Sequence, residues 1–226
     1  MRRFSLMLCL VLAFGAGGCG LLDSTTEIRV ELPVQEFDFE LDASIVKAQL
    51  QAYLDSQGIG IDISGMQELP ADVAGVPLTI QQTFELELPP EQVDLSDEED
   101  LRQYIESGKI KSVKIKFIRA DIATNSLNFQ TPEIEMWMDD LSATGITANS
   151  DQVAIIPSIA AGATGEVDLE FTPGGRDTMS NYLLSYQFAL MAMVAITIDT
   201  SVTRTIPDGL LQGKLKISLE FTADPL

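Results

Sequence analysis

Residues 187–198 read QFALMAMVAITI, and this stretch is apolar at both odd and even positions. One parity carries the larger side chains: Phe188, Leu190, Val194, Ile196 and Ile198. The other carries small residues and methionines: Ala189, Met191, Met193 and Ala195. A β-strand with two apolar faces is covered by protein on both of them. The stretch therefore predicts a strand buried in a layered β structure.

The chain on either side of this strand is rich in simple alternation. Apolar and polar residues alternate with the period of two that marks a half-buried strand in the ranges 28–32, 36–41, 78–88, 109–119, 133–138, 166–171 and 214–221. We expect Pro89-Pro90 to end the third of these seven strands at Leu88. We expect Pro207-Asp208-Gly209 to turn the chain from the buried strand into a final hairpin strand.

Three short helices are also predicted. The first opens at Asp42-Ala-Ser44 and ends near Gly58, and the third covers 177–186. Residues 96–99 (SDEE) match a capping box for the second helix, which ends at Ser107 before Gly108. Each helix has apolar residues at positions i, i+3 and i+4, which lie on one face. Amphipathic helices that cover a sheet converge on this spacing, and an ancient duplication is the alternative explanation.

These patterns together predict a mainly β protein. We expect an antiparallel β-sandwich with two or three short helices at its ends or edges. Residues 58–77 contain four glycines and two prolines and are predicted to form a long loop with at most one short strand at 59–63.

Composition narrows the chemistry. The chain has 226 residues, 34 acidic and 14 basic residues, a formal charge of −20 and no histidine. Without histidine there is no Ser-His-Asp triad and no His-ligated metal. Such negative charge disfavours binding to nucleic acid or anionic lipid headgroups. A hydrophobic share of 46% is ample for a folded core.

The N-terminal segment has the order of features found in a signal peptide. Arg2 and Arg3 precede an apolar run over 4–14, which is too short to span a bilayer. A run of small residues then leads to Cys19. An ordinary secretory signal cut nearby, or a buried N-terminal helix, would use many of the same residues.

The sequence Ala16-Gly17-Gly18-Cys19 resembles the lipoprotein signal peptides of bacteria, although leucine is commoner where Ala16 stands. This resemblance implies removal of residues 1–18 and acylation of the Cys19 thiol. Cys9 would then be discarded, so that no intramolecular disulfide could form. The expected organisation is a signal peptide at 1–18, a lipidated cysteine with a short tether at 19–27, and one β-rich domain at 28–226.

The resemblance also implies a location. In enteric-type bacteria an aspartate after the acylated cysteine retains a lipoprotein at the inner membrane. Gly20 follows Cys19 here, which resembles an outer-membrane lipoprotein with its body on the periplasmic or surface side. Residues 20–27 reach at most about 28 Å when fully extended. We therefore expect the domain to sit close to the bilayer.

Two short patterns could carry chemistry. Ser44-Ile-Val-Lys47 matches an S-x-x-K motif, in which the lysine activates the serine, but its companion motifs are missing and Ser44 is better explained as a helix N-cap. The acidic residues of 94–100 could collect calcium, although EF-hand spacing is absent and a helix start uses the same residue types. The sequence predicts no catalytic residue, no metal site and no cofactor.

Three further stretches have an ordinary and a functional interpretation. The lysines of 109–116, with Arg119, could bind an acidic partner or lipid headgroups, or Lys114 and Lys116 could pair with glutamates of neighbouring strands, either Glu133 and Glu135 or Glu85 and Glu87. Residues 182–198 are borderline for a membrane helix and fit helix plus strand better. An apolar ligand cavity could be lined by Met136, Trp137, Met138, Met191 and Met193, although core packing accounts for the same residues.

The sequence as a whole predicts a membrane-anchored envelope lipoprotein that is not an enzyme and serves as a binding or structural module. Its expected partners are the membrane, through the acyl chains on Cys19, and another envelope component. The alternative is a carrier with an internal pocket for a lipid-like ligand, and the ligand-binding residues are unknown at this stage. An envelope hydrolase that uses carboxylates alone is a third hypothesis.

Overall fold

The structure, a computed structural model, describes residues 27–225, and Cys19 lies outside them. The first of two antiparallel sheets contains five strands: β1 (Ile28–Glu31), β2 (Gln35–Asp42), β6 (Ile110–Asn125), β9 (Gly165–Asp168) and β12 (Leu210–Ala223). The second also contains five: β5 (Gln81–Asp94), β7 (Ile134–Asp139), β8 (Asp151–Ile156), β10 (Glu170–Phe171) and β11 (Gln187–Asp199). The remaining elements are a small hairpin of β3 (Asp72–Val73) and β4 (Val76–Pro77), and three helices, α1 (Ala43–Ser56), α2 (Glu99–Glu106) and α3 (Gly175–Ser185).

The two sheets pack face to face as a β-sandwich, which confirms the predicted fold class. In the first sheet, β12 pairs with β6 on one side and with β1 and β2 in succession on the other. The second sheet has the order β10-β8-β7-β11-β5. The three helices are short, and α3 contacts strands of both sheets.

Alternation along the strands builds the core. In β12 every second residue, from Leu211 to Ala223, is buried and points toward the second sheet. The buried side chains with the largest volumes include Phe188 and Phe221, which are 1% and 0% exposed. Full burial of such a side chain contributes roughly 1.5–3 kcal/mol, so the facing rows of apolar residues account for the association of the two sheets.

The buried strand predicted from residues 187–198 is β11, and its first half is covered on both faces. Residues 188–192 are all buried, whereas Ala195 and Thr197 are exposed. Segment 140–150 contributes to the cover on the outer side of this sheet, where the Ile146 backbone N–H lies 3.4 Å from a Glu87 carboxylate oxygen. Continuous apolar sequence thus marks the part of the strand that lies under a loop.

Two predictions about where strands end are wrong. Strand β5 continues through Pro89-Pro90 to Asp94, because it is an edge strand and its ladder with β11 shifts register at this point. Prolines are tolerated at edges and bulges, where their missing N–H breaks no ladder hydrogen bond. The stretch 166–171 is divided between β9 in one sheet and β10 in the other, with buried Leu169 at the crossing.

The predicted final hairpin is also wrong. β11 and β12 follow one another in the chain but belong to opposite sheets. The turn at 207–209 therefore lies on a crossing between the two layers. Strand β12 instead pairs with β6, whose residues lie about a hundred positions earlier, and alternation alone cannot distinguish the two arrangements.

The helix termini differ in detail from the predictions. Asp42, not Ser44, is the N-cap of α1, and its carboxylate accepts the Ser44 backbone N–H at 2.8 Å. The capping box at 96–99 does not form, because Ser96 donates to Asp94 and α2 begins at Glu99. Gly108 ends α2 as predicted, with a φ of +64° that favours glycine.

The recurring apolar spacing marks the packed face of each helix. Buried or half-buried side chains occupy these positions in all three: Leu50, Tyr53 and Leu54 in α1, Leu101, Tyr104 and Ile105 in α2, and Met179, Tyr182 and Leu183 in α3. Helix α3 ends at Ser185, and Tyr186 has a φ of +64° before β11 begins. Residues 182–198 are therefore a helix end and a strand, and none of the helices within 27–225 has the length and apolarity needed to span a bilayer.

The contact of β2 with β12 places a constraint on Gly213. The Phe39 ring lies over this glycine, and a Cβ there would stand 2.9 Å from the ring and 2.5 Å from the Asp121 backbone oxygen. We expect Gly213→Ala to lower the free energy of unfolding by about 1–3 kcal/mol, because backbone must move to admit the methyl group. Urea denaturation followed by circular dichroism measures this loss.

Gly60→Ala is the matched control. A Cβ at Gly60 meets nothing within 4 Å and its φ is not in the left-handed region, so its stability should be unchanged or slightly increased. Equal urea midpoints for the two variants would contradict the close packing of β2 on β12.

Candidate functional site

The main concave feature lies where the edges of the two sheets face each other. β2 is an edge strand of the first sheet and β5 is an edge strand of the second, and the two are in contact. Helix α1 covers one end of this opening, where Tyr53 packs edge-on against Phe84 with ring centroids 6.4 Å apart. Beyond α1 the opening remains accessible, and we call it the seam groove.

The seam groove has a volume of about 760 Å³. Its apolar lining faces the space between the sheets and includes Phe39, Leu86, Leu88 and Pro89, with Ile45 of α1 at 45% exposure. Its polar lining consists mainly of acidic residues: Asp38, Glu40, Asp42, Glu87, Glu91 and Asp121. Lys214 is the only basic residue among the lining residues. The groove is therefore apolar inside and strongly acidic at its rim.

A small cavity continues from the seam groove into the sandwich. It has a volume of about 40 Å³, and Phe37, Phe39, Leu88, Met136 and Leu190 are among the residues that line it. Phe39, Leu88 and Pro89 line both spaces. The cavity itself admits one or two water-sized groups, whereas the groove has the size of a typical ligand site.

The structure brings only part of the predicted methionine cluster together. Met136 lines the small cavity, whereas Met191 lies opposite Trp137. Met138 is fully buried in the core, and Trp137 lies on the opposite face of β7, where its indole N–H donates to Glu135. Met193 pairs with Glu135 on that same outer face. Alternation places neighbouring residues on opposite faces, which is why the five side chains cannot line one cavity.

The predicted lysine ladder is present only in part: Lys116 forms ion pairs, with partners other than those expected, and Lys114 forms none within residues 27–225. β6 lies between β12 and β9, so Glu85, Glu87 and Glu135 are on the other sheet, and Glu133 immediately precedes a strand of that sheet. The Lys116 ammonium lies 2.6 Å from Glu31 and 3.7 Å from Glu220, and the Arg119 guanidinium lies 2.6 Å from Asp168. Lys111 contacts Asp224 at 2.7 Å.

Next to the seam groove, the same ladder continues over β12 and β2. Lys214 lies 2.8 Å from Glu36 and 3.9 Å from Asp38, and Lys216 lies 2.7 Å from Asp121. Hydrogen bonding and charge from Lys214 lower the pKa of Glu36, and Glu36 in turn raises the pKa of Lys214. These pairs are exposed to water, so each contributes little to stability, and their main effect is to fix the charge pattern of the sheet.

The acidic stretch at 94–100 has structural contacts of its own. Asp94 accepts hydrogen bonds from the Ser96 hydroxyl and backbone N–H and from the Gln187 amide, which lowers its pKa. Asp97 faces Arg102 at 3.8 Å. Within residues 27–225, no three acidic or sulfur ligands are arranged to hold a metal ion.

The S-x-x-K pattern is likewise not assembled as a pair. The Lys47 ammonium donates to the Met66 backbone oxygen at 3.1 Å, and the Ser44 backbone N–H is used by the cap of α1. Each residue therefore has a local structural role.

Sequence reasoning missed a polar cluster that pins segment 140–150 to the second sheet. The Ser150 hydroxyl donates to Asp139 at 2.7 Å and accepts the Thr147 backbone N–H, and Ser150 with these neighbours lowers the pKa of Asp139. Nearby, the Tyr182 hydroxyl donates to Asp151, and burial together with this carboxylate raises the pKa of Tyr182 to about 12. The hydrogen bonds thus favour the ionised carboxylate of Asp139 and the protonated hydroxyl of Tyr182, and each is the form that makes the observed contacts.

Sequence reasoning also missed the seam groove. Its residues come from β2, α1, β5, β6 and β12, which are distant in the chain. The available signal was the β2 sequence QEFDFELD, in which acidic and aromatic residues alternate. That pattern indicates a strand with one wet face, but it does not reveal that the strand lies at an edge.

Comparisons with known proteins add little. No protein-family model and no curated protein matches the chain. Among solved structures, a chain of the mud crab tombus-like virus determined by cryo-EM aligns with 98% of this chain and 95% of its own length, at 9% identity and a TM-score of 0.32. Similarity at this level carries no implication for fold or function.

The ion pair between Lys214 and Glu36 generates a testable pH effect. The pKa of Glu36 lies below its ordinary value of 4.5, so the stabilisation from this pair is complete above that value and is lost as the pH falls through the folded-state pKa. In Lys214→Met we expect the pKa of Glu36 to rise toward 4.5. Titration of the side-chain carboxyl by NMR measures the shift.

Asp94 provides the internal control for this titration. Its pKa is lowered by Ser96 and Gln187, so Lys214→Met should leave it unchanged. If Glu36 titrates at the same pH in both proteins, the Lys214 contact does not exist in solution.

Proposed function

We propose that the chain is a lipid-anchored, non-enzymatic binding module of the cell envelope. The support for the anchor is the order of features in residues 1–19: two arginines, an apolar run, small residues and a cysteine. Removal of residues 1–18 and acylation of Cys19 would attach the protein to a membrane. Several acyl chains hold a protein stably, whereas one chain holds it weakly.

The start of the first strand supports a definite orientation. Ile28 pairs with Ala223, which pairs with Ile110, so this end of the first sheet is nearest to Cys19. Residues 20–27 span at most about 28 Å, which keeps this end close to the bilayer. Helix α2 leads into β6 at the same end and begins with the acidic residues Glu99 and Asp100. The net charge of −20 does not favour anionic headgroups, so the acyl chains would supply the attachment.

The observation that carries the binding role is the seam groove. It combines an apolar floor with a charged rim, and concave sites of this kind are where proteins bind their ligands. In the proposed orientation it opens on the side of the sandwich, not on the end that faces the membrane. A second envelope component could therefore reach it while the protein remains anchored.

Composition supports a function without catalysis. The chain has no histidine, and common hydrolytic and metal chemistries depend on it. A hydrolase that uses only carboxylates needs two of them facing each other across a cleft. Two of the acidic residues of the groove are already engaged within the first sheet: Asp121 contacts Lys216, and Glu40 accepts a hydrogen bond from Gln212.

A carrier of an apolar ligand is the second candidate. The groove volume of about 760 Å³ lies within the range of small-molecule sites, and Met136 lines the adjoining cavity. Native mass spectrometry of the protein purified from its source distinguishes the two functions. A retained lipid-like molecule would favour the carrier, and its absence would favour the binding module.

The two cysteines of the chain give a direct test of the anchor. We expect Cys19→Ser to abolish both the incorporation of radiolabelled palmitate and the cleavage that removes residues 1–18. The reason is that Cys19 is the only cysteine that would remain in the mature chain to carry the acyl chains. Cys9→Ser is the matched control and should be labelled and processed normally, since Cys9 lies within the removed segment. Labelling of Cys19→Ser, or a mature protein that still contains residues 1–18, would overturn the proposed anchoring.

The residue after the cysteine tests the location. In a Gram-negative host of the enteric type, the unchanged chain should fractionate with the outer membrane. Gly20→Asp should move it to the inner membrane, while a Gly20→Ser control stays with the outer membrane. Sucrose-gradient separation of the two membranes measures the distribution, and identical profiles for the aspartate and serine variants would contradict an outer-membrane location.

A further inference from the structure

We propose that the open edge of β2 binds an extended segment of a partner protein, in which basic and apolar residues alternate, by adding it to the first sheet as a new strand. This inference rests on the binding role proposed for the seam groove. It does not depend on acylation of Cys19.

The first argument concerns the backbone of the two edges that border the groove. Strand β2 pairs with β12 on one side, and within residues 27–225 no strand pairs with its other side. Its eight residues contain no proline, so each of the alternate residues that faces the open side can donate a backbone N–H. Strand β5 contains Pro89 and Pro90 in its middle, and these prolines make it a poor template. The edge of β2 is the one suited to strand addition.

The second argument concerns the side chains of β2. Glu36, Asp38 and Glu40 are exposed, while Phe37, Phe39 and Leu41 face the interior. Asp38 has a side chain that is 88% exposed. A strand paired with β2 must present apolar residues on the inner side and would gain ion pairs from basic residues on the outer side.

The third argument is that the chain already contains such a complement. On the closed side of β2, Leu215 of β12 lies opposite Phe37, and it is flanked by Lys214 and Lys216 opposite Asp38 and Glu36. The Lys214 ammonium reaches Glu36 at 2.8 Å. The Lys-Leu-Lys segment shows which alternation matches β2, and a segment of the same kind fits its open side.

The fourth argument is the charge that remains after these internal pairs. Six carboxylates and one lysine line the groove, and that lysine is already within 2.8 Å of Glu36 and 3.9 Å of Asp38. The rim therefore keeps an excess of negative charge. This charge would attract a basic segment and repel an acidic one, which affects both the association rate and the choice of partner.

The small cavity supplies an anchoring point for the inner side of the added strand. It is lined by Phe37, Phe39, Leu88 and Met136 and has a volume of about 40 Å³. Phe37 and Phe39 are only half-buried, so an apolar side chain of the partner can pack against their exposed parts. Burial of apolar side chains in a central pocket is a common source of binding energy at interfaces.

Other occupants fit these features less well. A second copy of the chain would have to donate a basic alternating strand, but β12 and β6 both have partners on each side. A fatty acid would bring its own carboxylate to an acidic rim. The complementary occupant is therefore a segment of a different protein.

The test uses the full chain purified in a non-ionic detergent. The probe is a fluorescent eight-residue peptide that alternates lysine with leucine or phenylalanine. Fluorescence anisotropy should show saturable binding of this peptide. A peptide of the same composition with its lysines grouped together should bind at least about tenfold more weakly, and one with glutamate in place of lysine weaker still.

Matched variants locate the site. Asp38→Lys should weaken binding about tenfold, since it replaces an attractive cross-strand charge with a repulsive one. Glu170→Lys makes the same change of net charge at an exposed position on β10, at the far edge of the sandwich, and should alter binding by less than about twofold. Circular dichroism melts of both variants report whether the fold is kept.

Hydrogen exchange measured by mass spectrometry is the second readout. The alternating peptide should slow exchange of β2 amides and leave those of β10 unchanged. The proposal is overturned if Asp38→Lys and Glu170→Lys weaken peptide binding equally, or if the grouped peptide binds as tightly as the alternating one. It is also overturned if the β2 amides stay unprotected in the bound state. Displacement of the peptide by palmitate to the same extent from the unchanged protein and from both variants would likewise overturn it. None of these outcomes affects palmitate labelling of Cys19, so failure of this inference is distinguishable from failure of the proposed anchoring.

Discussion

The first sheet depends on the pairing of one strand, β12, with three others. β12 is bonded along its whole length to β6 on one side and to β2 and β1 on the other. Because side chains alternate across a sheet, this register fixes which face of all four strands is apolar. A slip by one residue would expose the buried row from Leu211 to Ala223 and place Lys214 and Lys216 in the core. The cost of burying those charges makes the observed register the stable one.

The two sheets then differ in how they meet water. The outer face of the first sheet is covered by exposed ion pairs, such as those of Lys116 with Glu31 and Arg119 with Asp168. The outer face of the second sheet is partly covered by segment 140–150, which Ser150 and Asp139 hold in place. Buried residues such as Met191 can occupy this outer face for that reason. The outer face of the first sheet is thus made compatible with water by charged side chains, whereas part of the outer face of the second sheet is shielded from water by a loop.

The sequence predicted local structure well and pairing poorly. Alternation predicted the strands, and the i, i+3, i+4 spacing predicted the packed faces of the helices. Both patterns depend only on whether each position is buried, which the local sequence reveals. The partners predicted for Lys116 are wrong because they depend on which strands become neighbours. β6 pairs with β12 and β9, and not with β7 or β5. The predicted strand end at Pro89-Pro90 is wrong because edge and interior strands use the same alternation, and only an edge strand can continue through two prolines. The seam groove could not be predicted for the same reason, since it exists only because β2 and β5 are both edges.

An open strand edge requires protection from pairing with copies of itself, and the charges of β2 provide it. If two β2 edges met, Glu36, Asp38 and Glu40 of each copy would lie on the same face beside one another, and like charges in adjacent strands are destabilising. The same three residues on the closed side lie opposite Lys214, Lys216 and Gln212. An edge with this pattern disfavours pairing with a second β2 strand by charge repulsion and favours pairing with a strand that carries positive charges. Protection from aggregation and selectivity for a basic partner therefore follow from a single feature of the sequence.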